Sequence, residues 1–117
     1  MTLTELQELC FKASAQSGWW ELKEGQTVDD LVPVKLCLIH SEVSEAMEGH
    51  RKNLKDDKLA HRDMAEVELA DVIIRVLDLA GAMGYDLESA IAEKMDFNAI
   101  RDDHKPAARR AAGGKRY

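Results

Sequence analysis

Two short acidic pairs at helical spacing are the residues of this chain that could do chemistry. Glu42 and Glu45 are three residues apart, and so are Glu68 and Asp71. Residues three apart are neighbours on one face of a helix, so each pair presents two carboxylates side by side. Four carboxylates on facing helices repel one another, and a hard divalent cation such as Mg²⁺, which takes oxygen ligands, removes that repulsion. The pattern predicts a metal site in the core of a helical bundle.

Context separates these two pairs from the other acidic pairs of the chain. The sequence has 22 acidic residues, and acidic residues three apart occur seven times, so spacing alone indicates mostly solvated helix faces. The two chosen pairs lie instead in apolar stretches, where burying a carboxylate is costly unless something pairs with it. The apolar neighbours are Leu36, Leu38, Ile39, Val43 and Ala46 for the first pair, and Val67, Leu69, Val72, Ile73, Ile74, Val76 and Leu77 for the second.

Helices are the elements that must position these carboxylates. Pro33 fits the first turn of a helix, where no amide hydrogen is needed, and Gly18 and Gly84 are typical helix ends. The sequence therefore predicts an all-α fold, a four-helix bundle-like protomer forming a single domain over residues 1–105. Apolar periodicity and capping residues place the helices at about 3–17, 32–52, 57–83 and 87–103, with Asp56 or Asp57 capping the third and Asp86 the fourth.

The third predicted helix is apolar on more than one face. Six of its apolar residues cannot all face one neighbouring helix, namely Val72, Ile73, Ile74, Val76, Leu77 and Leu79. A helix that is apolar nearly all round is buried on all sides, and in a domain this small a second subunit is the simplest cover. The pattern predicts a homo-oligomer, either a homodimer or a tetramer built as a dimer of dimers.

The charge of the chain is uneven. The formal charge is −6, but residues 106–117 hold four basic residues and no acid, so residues 1–105 carry −10. An acidic body argues against nucleic-acid binding, and no apolar run is long enough to span a membrane. The basic segment 106–117 has no apolar stripe, so we expect a disordered tail. Two cysteines make no disulfide framework and no signal peptide is seen, so the expected location is the cytoplasm.

A polar stripe lies on the fourth predicted helix. Lys94, Asn98 and Arg101 fall at positions i, i+4 and i+7. Two cations and an amide on one stripe suit phosphate oxygens. Taken alone, the stripe is also typical of a solvated helix face.

Three segments, in this order, resemble the MazG-like all-α nucleoside triphosphate pyrophosphohydrolases. They are SEVSEAMEGHR at 41–51, ELADVIIRVLDLA at 68–80 and KMDFNAIR at 94–101. The family pattern is Glu-x-x-Glu, a spacer, Glu-x-x-Asp and a downstream Lys-x-x-x-Asn, and the spacer here is 22 residues. The resemblance covers about residues 30–105. The chain departs from it at Ser41, where many members carry a glutamate, so the number of metal ions is left open.

The resemblance implies hydrolysis of a nucleoside or deoxynucleoside triphosphate between the α and β phosphates. It also implies Mg²⁺ as the cofactor, with Mn²⁺ as an alternative, and a dimer or a dimer of dimers. One glutamate of the first pair, Glu42 or Glu45, would be catalytic by orienting or deprotonating the attacking water. The remaining roles it implies are metal ligands at Glu42, Glu45, Glu68 and Asp71, and phosphate-binding residues at Lys94, Asn98 and, more weakly, Arg101.

Three further residues are candidates for binding the base of such a substrate. Trp19 and Trp20 lie at the start of the long connection between the first two predicted helices, residues 18–31, and either ring could stack on a base. The alternative is that the rings fill the end of the bundle. His40 is the histidine next to the first acidic pair.

Two charged residues near the acidic pairs have two interpretations each. Lys35 could reach phosphates or be a surface lysine, and Asp78 could be an outer metal residue or an ion-pair partner of Arg75.

A second class of function fits part of the same pattern. A non-enzymatic helical interaction module would have an acidic groove without a metal ion, and its carboxylates would form ion pairs with Arg75 or with lysines. An enzyme would keep its four carboxylates converging on one point.

Overall fold

A computed structural model describes residues 1–100 and 105–115. Within them the chain forms α-helices and one isolated β-bridge, between Lys55 and Asp63, and no strand, so the all-α prediction is confirmed. The helices are α1 (Leu3–Gln16), α2 (Val28–Arg51), α3 (Met64–Met83), α4 (Leu87–Ile100) and α5 (Pro106–Arg110). They fall into two compact units, Met1–Tyr85 and Asp86–Tyr117.

In the first unit α3 packs against both α1 and α2. Leu77 is 2% exposed, and together with Leu79 and Ala80 it forms the centre of the core. Two glycines let the helices approach closely: a Cβ on Gly49 of α2 would lie 2.7 Å from the Met64 side chain, and one on Gly81 of α3 would lie 2.6 Å from Phe11 Cβ. The α3 helix therefore packs closely against α1 on one side and α2 on the other.

The first helix follows its sequence signals. Thr2 Oγ1 accepts a hydrogen bond from the Glu5 amide at 3.1 Å, and Thr2 N donates to Glu5 Oε2 at 3.4 Å. These two bonds form a capping box, one of the signals by which a sequence marks the start of a helix. The helix ends at Gln16, and Gly18, with φ of +85°, turns the chain away.

The second helix begins about four residues before the predicted start near residue 32. Thr27 and Asp30 form a capping box, in which Thr27 N donates to Asp30 Oδ2 at 2.8 Å and Asp30 N donates to Thr27 Oγ1 at 3.3 Å. Pro33 therefore lies beyond the first turn, inside the helix. The placement of Pro33 in the first turn is wrong because this capping box fixes an earlier start.

The third helix begins at Met64, so the predicted start near residue 57 is also wrong. Asp56 is buried, and its Oδ2 accepts the amides of Lys58 at 3.0 Å and Leu59 at 2.7 Å. These bonds imitate a helix cap, but the chain continues as a loop because the Asp56 amide donates back to Arg62 O at 3.0 Å. The helix ends as predicted at Gly84, which is left-handed with φ of +68°.

The second unit holds α4 and α5. Asp86 Oδ1 accepts the Ser89 amide at 3.2 Å, the predicted cap of α4. The predicted end of this helix near residue 103 lies outside the described residues, as does Arg101. The segment expected to be disordered from residue 106 begins with the short helix α5, where Pro106 at the first position presets the helical φ.

In the part of the chain that the structure describes, no helix combines the length and the apolar character needed to cross a bilayer.

Candidate metal centre and the adjoining cavity

Three carboxylates from α2 and α3 converge on one point. Glu42, Glu68 and Asp71 each bring a carboxylate oxygen to a position within 4.8 Å of the other two. Glu42 and Glu68 are buried and Asp71 is half-buried. We call these three residues the acidic triad. The structure thus brings three of the four predicted ligands together, one from the first acidic pair and both from the second.

The fourth predicted ligand, Glu45, stands beside the triad and is exposed. It is near enough that its charge and hydrogen bonding with it raise the pKa of Glu68, and hydrogen bonding between Glu45 and Glu42 helps to lower the pKa of Glu42. Glu45 is therefore a neighbour of the cluster in this structure and not one of its three converging members.

Glu68 is the most perturbed member of the triad. Burial and then hydrogen bonding with Glu42, together with the negative charges of Glu45 and Glu42, raise its pKa to about 8. Its Oε2 is buried and has no hydrogen-bond partner among the described residues. A buried carboxylate oxygen without a partner is costly, because its lost hydration is not replaced.

Glu42 has the opposite electrostatic environment. Burial alone would raise its pKa, but hydrogen bonds with Glu68 and Arg75, and the charge of Arg75, lower the pKa overall. Arg75 Nε donates to Glu42 Oε1 at 2.8 Å. The sequence allows Arg75 to pair with Asp78 or with a carboxylate of the acidic pairs, and the structure pairs it with Glu42.

Asp71 completes the triad. Burial, and then the charge of Glu42, raise its pKa, while Arg75 partly opposes the increase. The raised pKa values of Glu68 and Asp71 indicate that ionising all three carboxyl groups of the triad is unfavourable. Three converging oxygen donors, one of them without a partner, are a donor set that fits a hard divalent cation such as Mg²⁺.

A cavity of about 580 Å³ lies beside the triad, between α1, α2 and α3. Its volume is in the range of small-molecule sites. Glu42, Asp71 and Arg75 line one part, and Trp19, Lys35 and Asp78 line another. Apolar residues of α1 and α3 form the walls, namely Leu6, Leu9, Ala13 and Ile74.

The two tryptophans differ in their position relative to this cavity. Trp20 is half-buried, its Nε1 donates to Asp78 Oδ1 at 2.8 Å, and its ring packs edge-to-face on Phe11 at 6.2 Å between centroids. Trp20 therefore holds the end of the helical unit together. Trp19 lines the cavity and is 60% exposed, so its ring is accessible.

The structure places Lys35 at the cavity, whereas the sequence left its position open. It is only 9% exposed, and its Nζ donates to the Trp19 carbonyl at 2.9 Å and lies 4.4 Å from the centroid of the Trp20 ring. A surface lysine was the other interpretation, and burial excludes it. The available signal was its position seven residues before Glu42, which places both side chains on one face of α2.

Of the remaining candidates, His40 lies in the first unit, Lys94 and Asn98 lie in the second unit, and Arg101 is outside the described residues. His40 is exposed and is not a lining residue of the cavity. In the second unit, Lys94 Nζ lies 4.9 Å from the centroid of the Phe97 ring. Asn98 Oδ1 is buried and, among the described residues, has no hydrogen-bond partner.

Comparison with known proteins identifies no relative. No known protein family matches the chain, and neither the curated proteins nor the solved structures include a similar one.

Proposed function

We propose that this protein is a Mg²⁺-dependent nucleoside triphosphate pyrophosphohydrolase with a MazG-like fold, producing a nucleoside monophosphate and pyrophosphate. The observation that carries the proposal is the acidic triad. Glu42, Glu68 and Asp71 converge within 4.8 Å, and buried Oε2 of Glu68 lacks a hydrogen-bond partner among the described residues. Such a cluster is unfavourable by itself and favourable around a divalent cation.

The triad residues would hold the ion, with Glu45 close enough to add an oxygen ligand directly or through water. Bound Mg²⁺ would lower the pKa of a bound water molecule and neutralise charge on the phosphates. Glu45, exposed beside the triad, is suited to accept the proton of the attacking water. The oxygen of that water bonds to the α-phosphorus, the bond to the bridging oxygen breaks, and pyrophosphate leaves.

The chain's own cations supply the rest of the proposed mechanism. Arg75 fixes the Glu42 carboxylate by a hydrogen bond of 2.8 Å and so keeps the triad oriented. Lys94 and Asn98, with Arg101, are proposed to bind the phosphate chain because of their spacing on one helical stripe.

A homodimer, or a dimer of dimers, is part of the proposal. Apolar side chains beside the triad are about half exposed in the single chain: Val43 49%, Met47 55%, Leu69 56% and Ile73 51%. These residues come from both α2 and α3, and large contiguous apolar surfaces usually mark interfaces. We propose that a second copy of the chain covers them.

One observation favours a second candidate function. Arg75 forms an ion pair with Glu42, as expected for a metal-free helical interaction module. The same exposed apolar residues would then bind a partner helix. This alternative leaves the partnerless buried oxygen of Glu68 without a role, which is why we rank it second.

Pyrophosphate release from a mixture of nucleoside triphosphates tests the proposal. Release should need Mg²⁺, stop with excess EDTA, and be lost in Glu68→Gln. Glu66→Gln is the matched control, because Glu66 is on the same helix in an exposed ion pair with Arg62. Absence of release from every nucleotide, with a folded protein and saturating Mg²⁺, would favour the interaction module.

A further inference from the structure

We infer that the end of the cavity away from the triad selects nucleobases in which a carbonyl stands next to a ring N–H. Guanine, hypoxanthine, uracil and thymine carry this lactam group, whereas adenine and cytosine do not. Lys35 would donate to the carbonyl oxygen and Asp78 would accept from the N–H. The inference rests on the proposed function, because it takes the substrate to be a nucleotide.

The positions of Lys35 and Asp78 follow from the packing of α2 against α3. Lys35 precedes Glu42 by seven residues, and Asp78 follows Asp71 by seven. The two helices run in opposite directions, so both steps lead the same way, about 10 Å from the triad at ~1.5 Å per residue. Trp20 joins the two side chains, since its ring lies 4.4 Å from Lys35 Nζ and its Nε1 donates to Asp78.

Lys35 is a hydrogen-bond donor with capacity to spare. An ammonium group has three N–H bonds, and the contact to the Trp19 carbonyl uses one. Within the described part of the chain, no carboxylate lies in ion-pair distance of its Nζ, although the residue is only 9% exposed. A buried ammonium lining a cavity is stabilised by a hydrogen-bond acceptor on whatever enters, and the carbonyl oxygen of a lactam is such an acceptor.

Asp78 supplies the complementary acceptor. Its Oδ2 accepts from Ser14 Oγ at 2.9 Å and its Oδ1 accepts from Trp20 Nε1 at 2.8 Å. These two bonds fix the carboxylate, and each oxygen keeps a second lone pair. A fixed acceptor beside a fixed donor reads the order of polar groups on a base edge and rejects the reversed order.

Trp19 is the stacking surface in this arrangement. Lys35 Nζ lies 4.4 Å from the centroid of the Trp20 ring and 5.9 Å from that of the Trp19 ring, and the Trp20 ring also packs on Phe11, so Trp20 is the more enclosed of the two. Trp19 lines the cavity with an accessible ring. A base between the Trp19 ring and the apolar wall of α1 would present its edge to Lys35 and Asp78.

Two matched substrate pairs test the inference on the natural protein. ITP and ATP differ in the lactam group at one edge of the purine, and UTP and CTP differ in the same way in the pyrimidine. We expect kcat/KM to favour ITP over ATP, and UTP over CTP, by about tenfold or more. Binding of the four nucleotides in EDTA, followed by quenching of tryptophan fluorescence, should show the same order, with Trp19→Phe as the control that removes the signal.

Two variants test the assignment to these residues. Lys35→Met keeps most of the side-chain volume and removes the donor, and it should bring both ratios to within about threefold of unity by lowering kcat/KM for ITP and UTP. Asp78→Asn should have a similar effect. Lys23→Met, at an exposed position of the connection between α1 and α2, should leave both ratios unchanged.

The outcomes separate the inference from the proposed function. Hydrolysis without the lactam preference, or with the preference intact in Lys35→Met and Asp78→Asn, overturns the inference and leaves the function. Lactam-selective binding without hydrolysis supports the inference and overturns the function. Neither binding nor hydrolysis overturns both.

Discussion

The Nε of Arg75 donates a hydrogen bond to Oε1 of Glu42 across 2.8 Å and so links α3 to α2 at the acidic triad. This bond places one positive charge against a cluster of three carboxylates. The Arg75 side chain is 35% exposed and the Glu42 side chain is 11% exposed, so the pair is shielded from solvent on the Glu42 side. The consequences of removing this cation depend on whether the triad binds a metal.

We predict that Arg75→Met destabilises the protein in EDTA by about 1–3 kcal/mol, because Glu42 is left buried without its cation. Mg²⁺ should restore more stability to this variant than to the natural protein, since the triad is more negative without Arg75. Urea unfolding with EDTA and with Mg²⁺ measures both effects. Arg62→Met removes an exposed pair with Glu66 and should cost less than ~1 kcal/mol. The absence of stabilisation by Mg²⁺ in both Arg75→Met and the natural protein would contradict the metal site.

Amide substitutions in the triad should abolish turnover without unfolding the protein. Glu42→Gln, Glu68→Gln and Asp71→Asn should each lower kcat at least about a hundredfold, because each removes a proposed ligand. Melting temperatures in EDTA should hold for Glu68→Gln and Asp71→Asn or rise, since these changes relieve carboxylate repulsion.

Glu45→Gln separates two roles for the fourth carboxylate. If Glu45 accepts the proton of water from outside the triad, its substitution should lower kcat but leave the Mg²⁺ concentration for half-maximal activity almost unchanged. A titration of activity against Mg²⁺ measures this. Turnover near normal in two of the four carboxylate variants would contradict the assignment of the site.

Stability without metal should fall as the pH rises through the pKa of Glu68. That pKa is about 8 in the folded protein against an ordinary 4.5. The folded state therefore binds more protons between these values, so the contribution of Glu68 is fully present below pH 4.5 and is lost as the pH rises through 8. Asp71, whose pKa is also raised, acts in the same direction.

We expect the free energy of unfolding in EDTA to fall by at most a few kcal/mol between about pH 5 and pH 9. Chemical denaturation at several pH values measures the slope. Glu68→Gln should flatten most of it, and Glu66→Gln should leave it unchanged. Saturating Mg²⁺ should also flatten it, because the ion takes the place of the proton. A slope that Glu68→Gln does not alter would contradict the perturbed carboxyl group.

How far the sequence predicted this molecule depends on the kind of signal. Helix identity followed from apolar periodicity, and Glu42, Glu68 and Asp71 followed from spacing within apolar stretches. The starts of α2 and α3 did not follow from the sequence. Thr27 and Asp56 are both residue types that cap helices, and only the path of the chain after each of them distinguishes a helix from a loop.

The cavity could not be predicted from local patterns. Lys35, Trp20 and Asp78 come from three separate segments, and their association depends on how α1, α2 and α3 pack. The sequence indicated that Arg75 forms an ion pair. Its pairing with Glu42 depends on the distance that the two side chains span between α3 and α2. Such contacts between elements carry no signature within either element.

The exposed apolar face on α2 and α3 should hold two copies of the chain together. We predict a mass by light scattering of at least twice 13.1 kDa at micromolar concentration. Ile73→Arg, at the half-exposed centre of α3, should reduce that mass to one chain. Leu22→Arg, at a similarly exposed residue of the α1–α2 connection, should leave the mass unchanged. A natural protein of 13.1 kDa would contradict the oligomer, and an unchanged mass for Ile73→Arg would contradict this face.

The last prediction concerns the polar stripe of α4. If Lys94 and Asn98 bind the phosphate chain, Lys94→Ala and Asn98→Ala should lower kcat as well as raise KM, because charge on the phosphates grows toward the transition state and a cation is then worth more. Stability should change little in Lys94→Ala, since Lys94 is exposed and its contact in the structure is with the Phe97 ring. Lys105→Ala, a basic residue of the same unit, is the matched control and should leave both constants unchanged. Steady-state kinetics with saturating Mg²⁺ separates the outcomes. Unchanged kcat and KM in Lys94→Ala would make the stripe a solvated face, and the proposed hydrolase would then depend on the acidic triad and the cavity alone.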